Sequence, residues 1–285
     1  MQAWHQQNLL DPSFPFALFF SEKTQFPPHW HGEMEIVYVL EGEAKVGLNN
    51  QVYSLNQHDI FLIGSGQVHH FPLQTDACTL IFIQFGLAFF DSYSAIMSDR
   101  RLTHPLLSRS GRWGTEEADL HHLMENQIQA IIKEYEEKME GYQIALKARL
   151  YDLFLLLLRH APMERYSPEE KRNHLNRLQR LEKVFEFVEE RMEARITVTD
   201  AARVANFSVF HFTRFFKAAT GMTFGDYLKD FRIKKAEWYL SSTEDSITEI
   251  ALKAGFNSVQ SFDRVFKELR GCSPKMYRNA IFVKN

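Results

Sequence analysis

The chain has 285 residues, of which 45% are hydrophobic and 24% are charged, a composition ordinary for a soluble globular protein of about two domains. Its two cysteines, Cys78 and Cys272, lie far apart, which argues against a disulfide framework or a zinc module and favours a reducing compartment. The start has no signal-peptide pattern, and the longest apolar run, residues 153–158, is too short to span a bilayer. We therefore expect a cytoplasmic protein with no membrane partner.

The net charge of −3 conceals an asymmetry between two parts of the chain. Residues 174–285 contain 19 Lys and Arg against 14 Asp and Glu, a net charge of +5, whereas the remaining residues contain 14 against 22, a net charge of −8. Opposite charges on two parts of a chain indicate that only the basic part approaches a polyanion.

Residues 14–90 have the pattern of β-structure without intervening helices. Short runs rich in β-branched and aromatic residues, separated by turn-forming residues, predict strands over 35–40, 44–48, 51–55, 60–63 and 79–85. Several short strands at this spacing are typical of a small sandwich or barrel.

A group of polar side chains lies within this β-segment. His29, His31 and Glu35 share odd parity, so they point to the same face of an extended strand. Joined by His69, they form a candidate ligand set for a divalent transition metal. The alternative is that these side chains line a barrel and hydrogen-bond to a small molecule or to each other.

The same residues resemble the two motifs of the cupin superfamily. The first motif is matched by His29-x-His31-x-x-x-Glu35 followed by Gly42. The second is matched in part: Asp59, Ile63, Gly66 and His69 fit, whereas His58 and Ser65 replace the expected glycine and proline. The resemblance implies a β-barrel and leaves open a metal-dependent enzyme, such as a dioxygenase or isomerase, since fold alone does not choose between enzyme and sensor. The rest of the chain, which a barrel enzyme would not need, argues against the enzyme.

Residues 115–160 change to a helical pattern. Apolar residues recur there at three- and four-residue spacing, with a break at Gly141, and predict a helical hairpin. Its apolar stripes are predicted to pack on the barrel; the alternative is a dimer seam. Residues 162–173 contain two prolines and a charge cluster and are predicted to be an interdomain linker, followed by a helix over 174–192.

The C-terminal part contains one motif twice, at an offset of 50 residues. The matching pairs are Phe212/Phe262, Arg214/Arg264, Phe216/Phe266, Lys217/Lys267, Gly221/Gly271 and Tyr227/Tyr277. The copies predict two helix-turn-helix units, with helices over 198–205 and 208–220, then over 247–254 and 258–270. Thr199 and Ser246 are the predicted N-caps of the short helices, and Gly255 is predicted to have a positive φ in the turn.

The second helix of each unit has one apolar face and one polar face. The polar faces carry Phe210, Thr213, Arg214 and Lys217 in the first unit, and Gln260, Asp263, Arg264 and Lys267 in the second. Arginine pairs with guanine and glutamine with adenine, so these faces are predicted to read bases in a major groove.

The second copy resembles the signature of AraC/XylS-type transcription regulators. It reads Ile247-x-x-Ile-Ala-x-x-x-Gly-Phe-x-Ser258, Phe262-x-Arg-x-Phe-Lys267, Gly271-x-Ser-Pro274 and Tyr277-Arg278. The resemblance covers about residues 174–280, and the first copy departs from it at Phe224, where proline is common. It implies two helix-turn-helix units joined by a long helix over 224–240, with recognition helices in successive major grooves about 34 Å apart.

The resemblance also assigns roles position by position. Base contact is expected from Phe210, Thr213 and Arg214 in the first unit, and from Val259, Gln260, Asp263 and Arg264 in the second. Phosphate contact is expected from Lys217, Lys267 and the helix N-termini near Ser208 and Ser258.

These observations predict a multi-domain α+β protein. A cupin-like effector-binding β-barrel is expected over 1–95, a helical hairpin over 96–161, the linker over 162–173 and an all-α domain of two helix-turn-helix units over 174–285. The family often pairs this last domain with an N-terminal cupin that binds a small effector, commonly a sugar.

The predicted function is therefore an effector-controlled regulator that is not an enzyme. We expect a homodimeric activator that binds double-stranded DNA, works with RNA polymerase and binds a sugar or oligosaccharide in the barrel. The expected effector site is lined by His29, His31, Glu35 and His69, with Trp30 and Tyr38 nearby. The alternatives are a metal-sensing regulator, a metal-dependent cupin enzyme fused to a DNA-binding domain, and a constitutive architectural DNA-bending protein.

Overall fold

The structure is a computed structural model that describes residues 10–11, 13–22, 25–72, 77–94, 96, 99–109 and 115–282. The chain divides into two compact units, whose boundary falls between Leu175 and Asn176. Within the described ranges, no helix is long and apolar enough to cross a membrane.

The first unit is built on antiparallel strands. In chain order they are β1 (Phe16–Glu22), β2 (Phe26–His29), β3 (Met34–Glu41), β4 (Ala44–Leu48), β5 (Gln51–Leu55), β6 (Ile60–Ile63), β7 (His69–Phe71), β8 (Thr79–Phe85), β9 (Arg100–Leu102), β10 (Leu106–Leu107) and β11 (Met163–Arg165). One sheet has the order β1-β8-β3-β6-β10, a second has the order β2-β7-β4-β5, and β11 pairs with β9. A short 3₁₀ helix, Leu87–Tyr93, follows β8. The predicted β-structure is confirmed, and strands 44–48, 51–55, 60–63 and 79–85 have the predicted bounds.

Alternation along the central strand β3 produces two cores. Val37 and Val39 face the second sheet and belong to the apolar cluster between the sheets. Ile36 and Tyr38 face the other way, into a cluster that includes the apolar stripes of two helices, α1 (Thr115–Glu137) and α2 (Tyr142–His160). The predicted hairpin therefore packs on the barrel, and Gly141 turns between its helices at φ 81°.

The predicted linker is wrong in its details, because part of it has regular structure. Residues 163–165 form β11, and helix α3 (Pro168–Glu190) begins six residues before the predicted start at residue 174. The cause is a capping box: the Ser167 amide donates to Glu170 Oε2 (2.8 Å) and the Glu170 amide donates to Ser167 Oγ (3.2 Å). Pro168 occupies the first helical position, where a missing N–H costs nothing. Strand β10 likewise joins the barrel sheet, although it lies in the segment predicted to be hairpin.

The second unit is all helical in its described part. After the C-terminal part of α3 come α4 (Val198–Val204), α5 (Val209–Thr220), α6 (Phe224–Ser242), α7 (Ile247–Lys253), α8 (Val259–Arg270) and α9 (Pro274–Phe282). This confirms the two helix-turn-helix units and the long joining helix, α6.

The two helix-turn-helix units start and turn in the same way. Capping boxes open α4 at Thr197 with Asp200 and α7 at Ser246 with Glu249, so the N-cap predicted at Thr199 is wrong by two residues. Threonine can cap at either position, and the acidic residue three places later selects Thr197.

The turn between the helices has a left-handed residue in both units. Asn206 has φ 57° in the first helix-turn-helix unit. Gly255 has φ 81° in the second, and this positive φ was predicted. A Cβ on Gly255 would lie 2.0 Å from the backbone oxygen of Met192, so the second turn also packs too closely for any side chain.

Candidate functional site

The first recognition helix, α5, exposes the predicted residues. Phe210 is 65% exposed, which is unusual for an aromatic side chain, and Thr213, Arg214 and Lys217 are also exposed. The Arg214 guanidinium lies 5.6 Å from the centre of the Phe210 ring, so the two side chains form one surface. The opposite face of α5 is buried, including Phe212 and Phe216.

The second recognition helix, α8, presents a more polar surface. Gln260, Arg264 and Lys267 are exposed, whereas Val259 and Asp263 are half-buried. Lys267 Nζ lies 2.6 Å from Asp263 Oδ2, so this lysine is paired within its own helix. Before Lys267 can contact a DNA phosphate, its ammonium group must leave the Asp263 carboxylate.

Both recognition helices begin at a serine N-cap. The hydroxyls of Ser208 and Ser258 accept hydrogen bonds from the amides of His211 and Ser261, at 3.3 and 3.2 Å. Because the hydroxyls are used for capping, a phosphate at these helix starts would meet the remaining free amide groups. Sequence reasoning missed His211, an exposed imidazole in the first turn of α5 whose Nδ1 lies 3.1 Å from Ser208 Oγ.

In the β-rich unit, the barrel brings together three imidazoles, two of them close in the sequence and the third about 40 positions further on. The side chains of His29, His31 and His69 are buried, and one nitrogen of each lies within 4.8 Å of the others. Strand pairing of β2 with β7 sets His29 directly opposite His69. The predicted cluster is therefore assembled.

Backbone carbonyls orient each ring. Nδ1 of His29 lies 2.9 Å from Pro27 O, Nδ1 of His31 lies 3.1 Å from Glu33 O, and Nδ1 of His69 lies 2.9 Å from Gln67 O. A carbonyl oxygen only accepts, so Nδ1 carries the proton in all three rings. In His29 and His69 this leaves the lone pair on Nε2, whereas Nε2 of His31 faces the Glu35 carboxylate at 3.4 Å. This is the arrangement that holds a metal-binding histidine in place.

Glu35 completes the cluster. Its Oε2 accepts a hydrogen bond from Gln84 Nε2 (2.5 Å) and lies 3.4 Å from His31 Nε2, while its Oε1 lies 3.7 Å from His69 Nε2. Among the described residues, neither Oε1 of Glu35 nor Nε2 of His69 has a hydrogen-bond partner, although both atoms are buried. Sequence reasoning missed Gln84, which only strand pairing of β3 with β8 places beside Glu35.

Electrostatics in the cluster keep most of its donors in the states a cation needs. Burial lowers the pKa of His29 to about 3 and holds the pKa of His69 well below its usual value. Burial would also lower the pKa of His31, but the adjacent Glu35 carboxylate outweighs burial and raises it. Burial would raise the pKa of Glu35, but the hydrogen bond from His31 and the charges of both histidines lower it.

These residues fit a divalent transition metal. Ions such as Zn²⁺ bind both imidazole nitrogens and carboxylate oxygens, and this cluster offers three oriented imidazoles and one carboxylate. Three atoms of the cluster, Nε2 of His31, Oε1 of Glu35 and Nε2 of His69, are buried without a hydrogen-bond partner among the described residues, which costs free energy unless something binds them.

Tyr38 is not part of this cluster, so its predicted position beside these residues is wrong, and a role in effector binding stays a prediction. Position 38 has the opposite parity to Glu35, and its hydroxyl lies on the helical side of β3, donating to Glu125 Oε1 (2.7 Å). The same hydroxyl lies 2.7 Å from His58 Nδ1. Trp30 is half-buried between His29 and His31 in the sequence, and its role stays a prediction.

A β-barrel with an imidazole–carboxylate cluster, followed by two helix-turn-helix units, is the architecture of a ligand-responsive transcription regulator. A family model described as an AraC-like ligand binding domain matches residues 20–154, and a helix-turn-helix domain model matches residues 201–280. The chain belongs to the AraC family of transcription regulators. Membership supports a regulator and not the dioxygenase or isomerase alternative.

The similar proteins carry names of the same kind. The uncharacterized HTH-type transcriptional regulator YdeC of Bacillus subtilis (strain 168) is 23% identical over 260 residues, covering 88% of this chain and 86% of that protein. An uncharacterized HTH-type transcriptional regulator of Staphylococcus aureus is 25% identical over 247 residues, covering 85% of this chain. The chain spans only 31% of the length of that relative.

Solved structures with a similar fold were also found. ToxT from Vibrio cholerae strain SCE256, with a bound unsaturated fatty acid, is 15% identical with a TM-score of 0.48, covering 98% of this chain and 97% of that one. The DNA-binding domain of AdpA, in complex with a target DNA, is 27% identical with a TM-score of 0.36, covering 36% of this chain and 94% of that one.

Proposed function

We propose that this chain is a sequence-specific transcriptional activator that reads two different half-sites in tandem and responds to a small molecule in its barrel. The observation that carries the proposal is the pair of exposed recognition surfaces with matching frameworks and different side chains. A symmetric pair of surfaces would favour two equal half-sites, whereas this pair favours an asymmetric site.

Each surface favours its own bases. In the first unit, Phe210 suits an apolar contact with a thymine methyl group, and Arg214 suits a guanine edge. In the second unit, Gln260 suits adenine and Arg264 suits guanine. Lys217 and Lys267 would position the helices on phosphates, because their contacts carry no sequence information.

A DNA selection tests the proposal. The full chain is used to select from a library of random duplexes, and we expect a site with two unlike halves. Arg214→Ala and Arg264→Ala should each relax the preference in one half only, whereas Arg149→Ala, an exposed arginine on α2, should change neither half. Selection of no common sequence by the wild-type chain would contradict the proposal and favour the architectural DNA-bending alternative.

Regulation in this proposal uses a dimer. Helix α2 exposes Ile144 (77%), Leu155 (41%) and part of Tyr151 (36%), at seven- and four-residue spacing. The Tyr151 hydroxyl donates to Phe89 O (3.0 Å), so this side chain lies at the edge of the exposed stripe. An apolar stripe of this period suits pairing with a second copy of the same helix. Leu155→Glu should shift sedimentation from dimer to monomer, and an unchanged dimer would reject this surface.

The effector proposed from the family is a sugar or oligosaccharide in the barrel. It would act only if it binds one arrangement of the dimer more tightly than the other. Transcription in vitro with purified RNA polymerase should then rise when the chain and its effector are both added. A fall in transcription would make the chain a repressor.

A metal ion is the second candidate effector, because one ring nitrogen from each of three buried histidines converges, with Glu35 beside His31 and His69. Such an ion would supply a Lewis-acidic centre, and His29, His31, His69 and Glu35 would hold it. After chelation and dialysis, the chain is screened by thermal shift against sugars and against Zn²⁺, Ni²⁺ and Mn²⁺. A ligand at a hundred times its Kd stabilises by about 2.7 kcal/mol.

The controls separate the two effectors. Metal stabilisation should disappear in His69→Ala and persist in His122→Ala, which removes an exposed imidazole from α1. Stabilisation by a sugar in metal-free protein would favour the first effector, and stabilisation by metal that survives in His69→Ala would reject the buried site.

A further inference from the structure

A protein that reads two half-sites must hold its two recognition helices at a fixed separation. Here α6 joins the units; its 19 residues make it about 28 Å long at 1.5 Å per residue, close to one turn of DNA. The way in which α5 and α8 attach to α6 therefore decides which spacing of half-sites the chain accepts.

The first recognition helix attaches through aromatic side chains. Phe212 and Phe216 of α5 contact Phe224 at the start of α6, with ring centres 5.5 and 5.4 Å apart, and Phe216 contacts Tyr227 at 5.4 Å. Such contacts stabilise the unit, but apolar attraction has little directional preference.

The second recognition helix attaches through a buried ion pair as well. Arg270, the last residue of α8, donates from Nε to Glu237 Oε1 (2.5 Å) and from Nη2 to Glu237 Oε2 (2.9 Å). The two side chains are only 9% and 14% exposed. Two parallel bonds between planar groups fix an orientation as well as a distance.

A third element meets the same carboxylate. Burial raises the pKa of Tyr277 on α9, and the charge of Glu237 and a hydrogen bond to it raise this pKa further. Helices α6, α8 and α9 thus converge on Glu237, which lies near the end of α6 farther from the first unit.

The internal repeat provides a comparison within the same chain. The position of Arg270 corresponds to Thr220 in the first unit, 50 residues earlier. Thr220 is fully buried, and its hydroxyl donates to Phe216 O of the same helix (2.8 Å), so this residue makes no equivalent tie to α6 through its side chain among the described contacts. The ion pair is therefore a feature of the second unit, and not a requirement of the helix-turn-helix framework.

We infer that Glu237 and Arg270 are positioning residues that lock the second recognition helix to α6 and set the spacing between the two half-sites that one chain reads. The inference rests on the proposed tandem reading of DNA. Neither residue needs to touch a base. A buried ion pair often adds little net stability compared with apolar residues of similar size, so its value here is orientation.

The test separates orientation from stability. In Glu237→Leu/Arg270→Met, apolar residues replace both partners, so neither member of the pair is left buried without the other and the melting temperature should stay close to that of the wild-type chain. Arg270→Lys keeps the charge but loses the two-pronged geometry. The exposed Asp226–Lys229 pair on the same helix provides the control, Lys229→Gln.

The probe is the duplex selected by the wild-type chain, rebuilt with one or two base pairs added or removed between the half-sites. For the wild-type chain and Lys229→Gln, each added base pair should weaken binding by about tenfold, comparable to a mismatch. For the double variant and Arg270→Lys, the loss should shrink to about threefold or less, on the same scale, while each half-site keeps its sequence preference.

The outcomes are distinct. If the folded double variant discriminates between spacers as sharply as the wild-type chain, the inference is wrong. If the double variant does not fold, Arg270→Lys decides by the same spacer series. If the wild-type chain selects no two-part site, the proposed function fails first, before any variant is compared.

Discussion

The turn before the second recognition helix provides a sharp prediction, because the matching turn of the first helix-turn-helix unit provides a control. Gly255 and Asn206 occupy matching turns, with φ of 81° and 57°. Gly255→Ala must place a Cβ 2.0 Å from the backbone oxygen of Met192 and 2.8 Å from Nε of Arg232. Asn206 already has a Cβ, so Asn206→Ala adds no atom to its turn.

The cost of each change follows from these positions. A left-handed alanine costs roughly 1–2 kcal/mol, and this term applies to both variants. The clash with a backbone carbonyl adds roughly 1–3 kcal/mol for Gly255→Ala alone, since the carbonyl cannot rotate away like a flexible side chain. We therefore expect Gly255→Ala to lower the free energy of unfolding of the second helix-turn-helix unit by about 2–5 kcal/mol, and Asn206→Ala to lower that of the first by about 1–2 kcal/mol.

Hydrogen exchange reports these free energies locally, in the amides of α7 and α8 for Gly255→Ala and of α4 and α5 for Asn206→Ala, without assuming that the whole chain unfolds in one step. Relative to the wild-type chain, protection should fall further in Gly255→Ala than in Asn206→Ala. Equal protection in the two variants would refute the claim that backbone packing at Gly255, and not only its φ, constrains the turn.

Three further changes have defined outcomes. Arg264→Ala should cost roughly 1–3 kcal/mol of binding to the selected duplex and relax preference at one base, and unchanged discrimination in a titration would reject the role of Arg264. Burial raises the pKa of Asp230 from 3.8 to about 6, so native protein holds a proton that unfolded protein has lost, and stability falls as pH rises through that window. Asp230→Asn should remove this fall and gain up to about 3 kcal/mol at pH 7, whereas an unchanged stability–pH profile between 4 and 6 would contradict the burial argument. Tyr38→Phe should lower the free energy of unfolding of the β-rich unit by about 1–2 kcal/mol and leave metal or effector affinity unchanged. A loss of affinity in a binding titration would show that Tyr38 belongs to the effector site.

Much of the framework could be predicted from sequence, because local patterns determine it. The 50-residue repeat fixes equivalent positions in two units, and helical spacing separates the buried Phe212 and Phe216 from the exposed Arg214. The residues of the cluster were also predicted, but His29 ends β2 and Glu35 lies in β3, so parity along one extended strand is not what brings them together.

Some of the wrong predictions could have been avoided with information that the sequence already contains. Tyr38 has the opposite parity to Glu35, so the same rule would have placed it on the helical side. Ser167, Pro168 and Glu170 form a helix-start pattern that a linker prediction overlooked.

Other features depend on contacts between residues far apart in the chain. Gln84 meets Glu35 across 49 positions, and Arg270 meets Glu237 across 33 positions. No periodicity connects such partners, because strand order and helix packing bring them together only in the folded chain.

The most direct measurement of the central claim compares three duplexes for binding by the full chain: the selected site, and the same site with either half scrambled. We expect scrambling of either half to weaken binding by about tenfold or more, comparable to the loss of specific base contacts, and the two halves to have different sequences. Equal binding to all three duplexes would contradict the account, as would two halves with the same sequence.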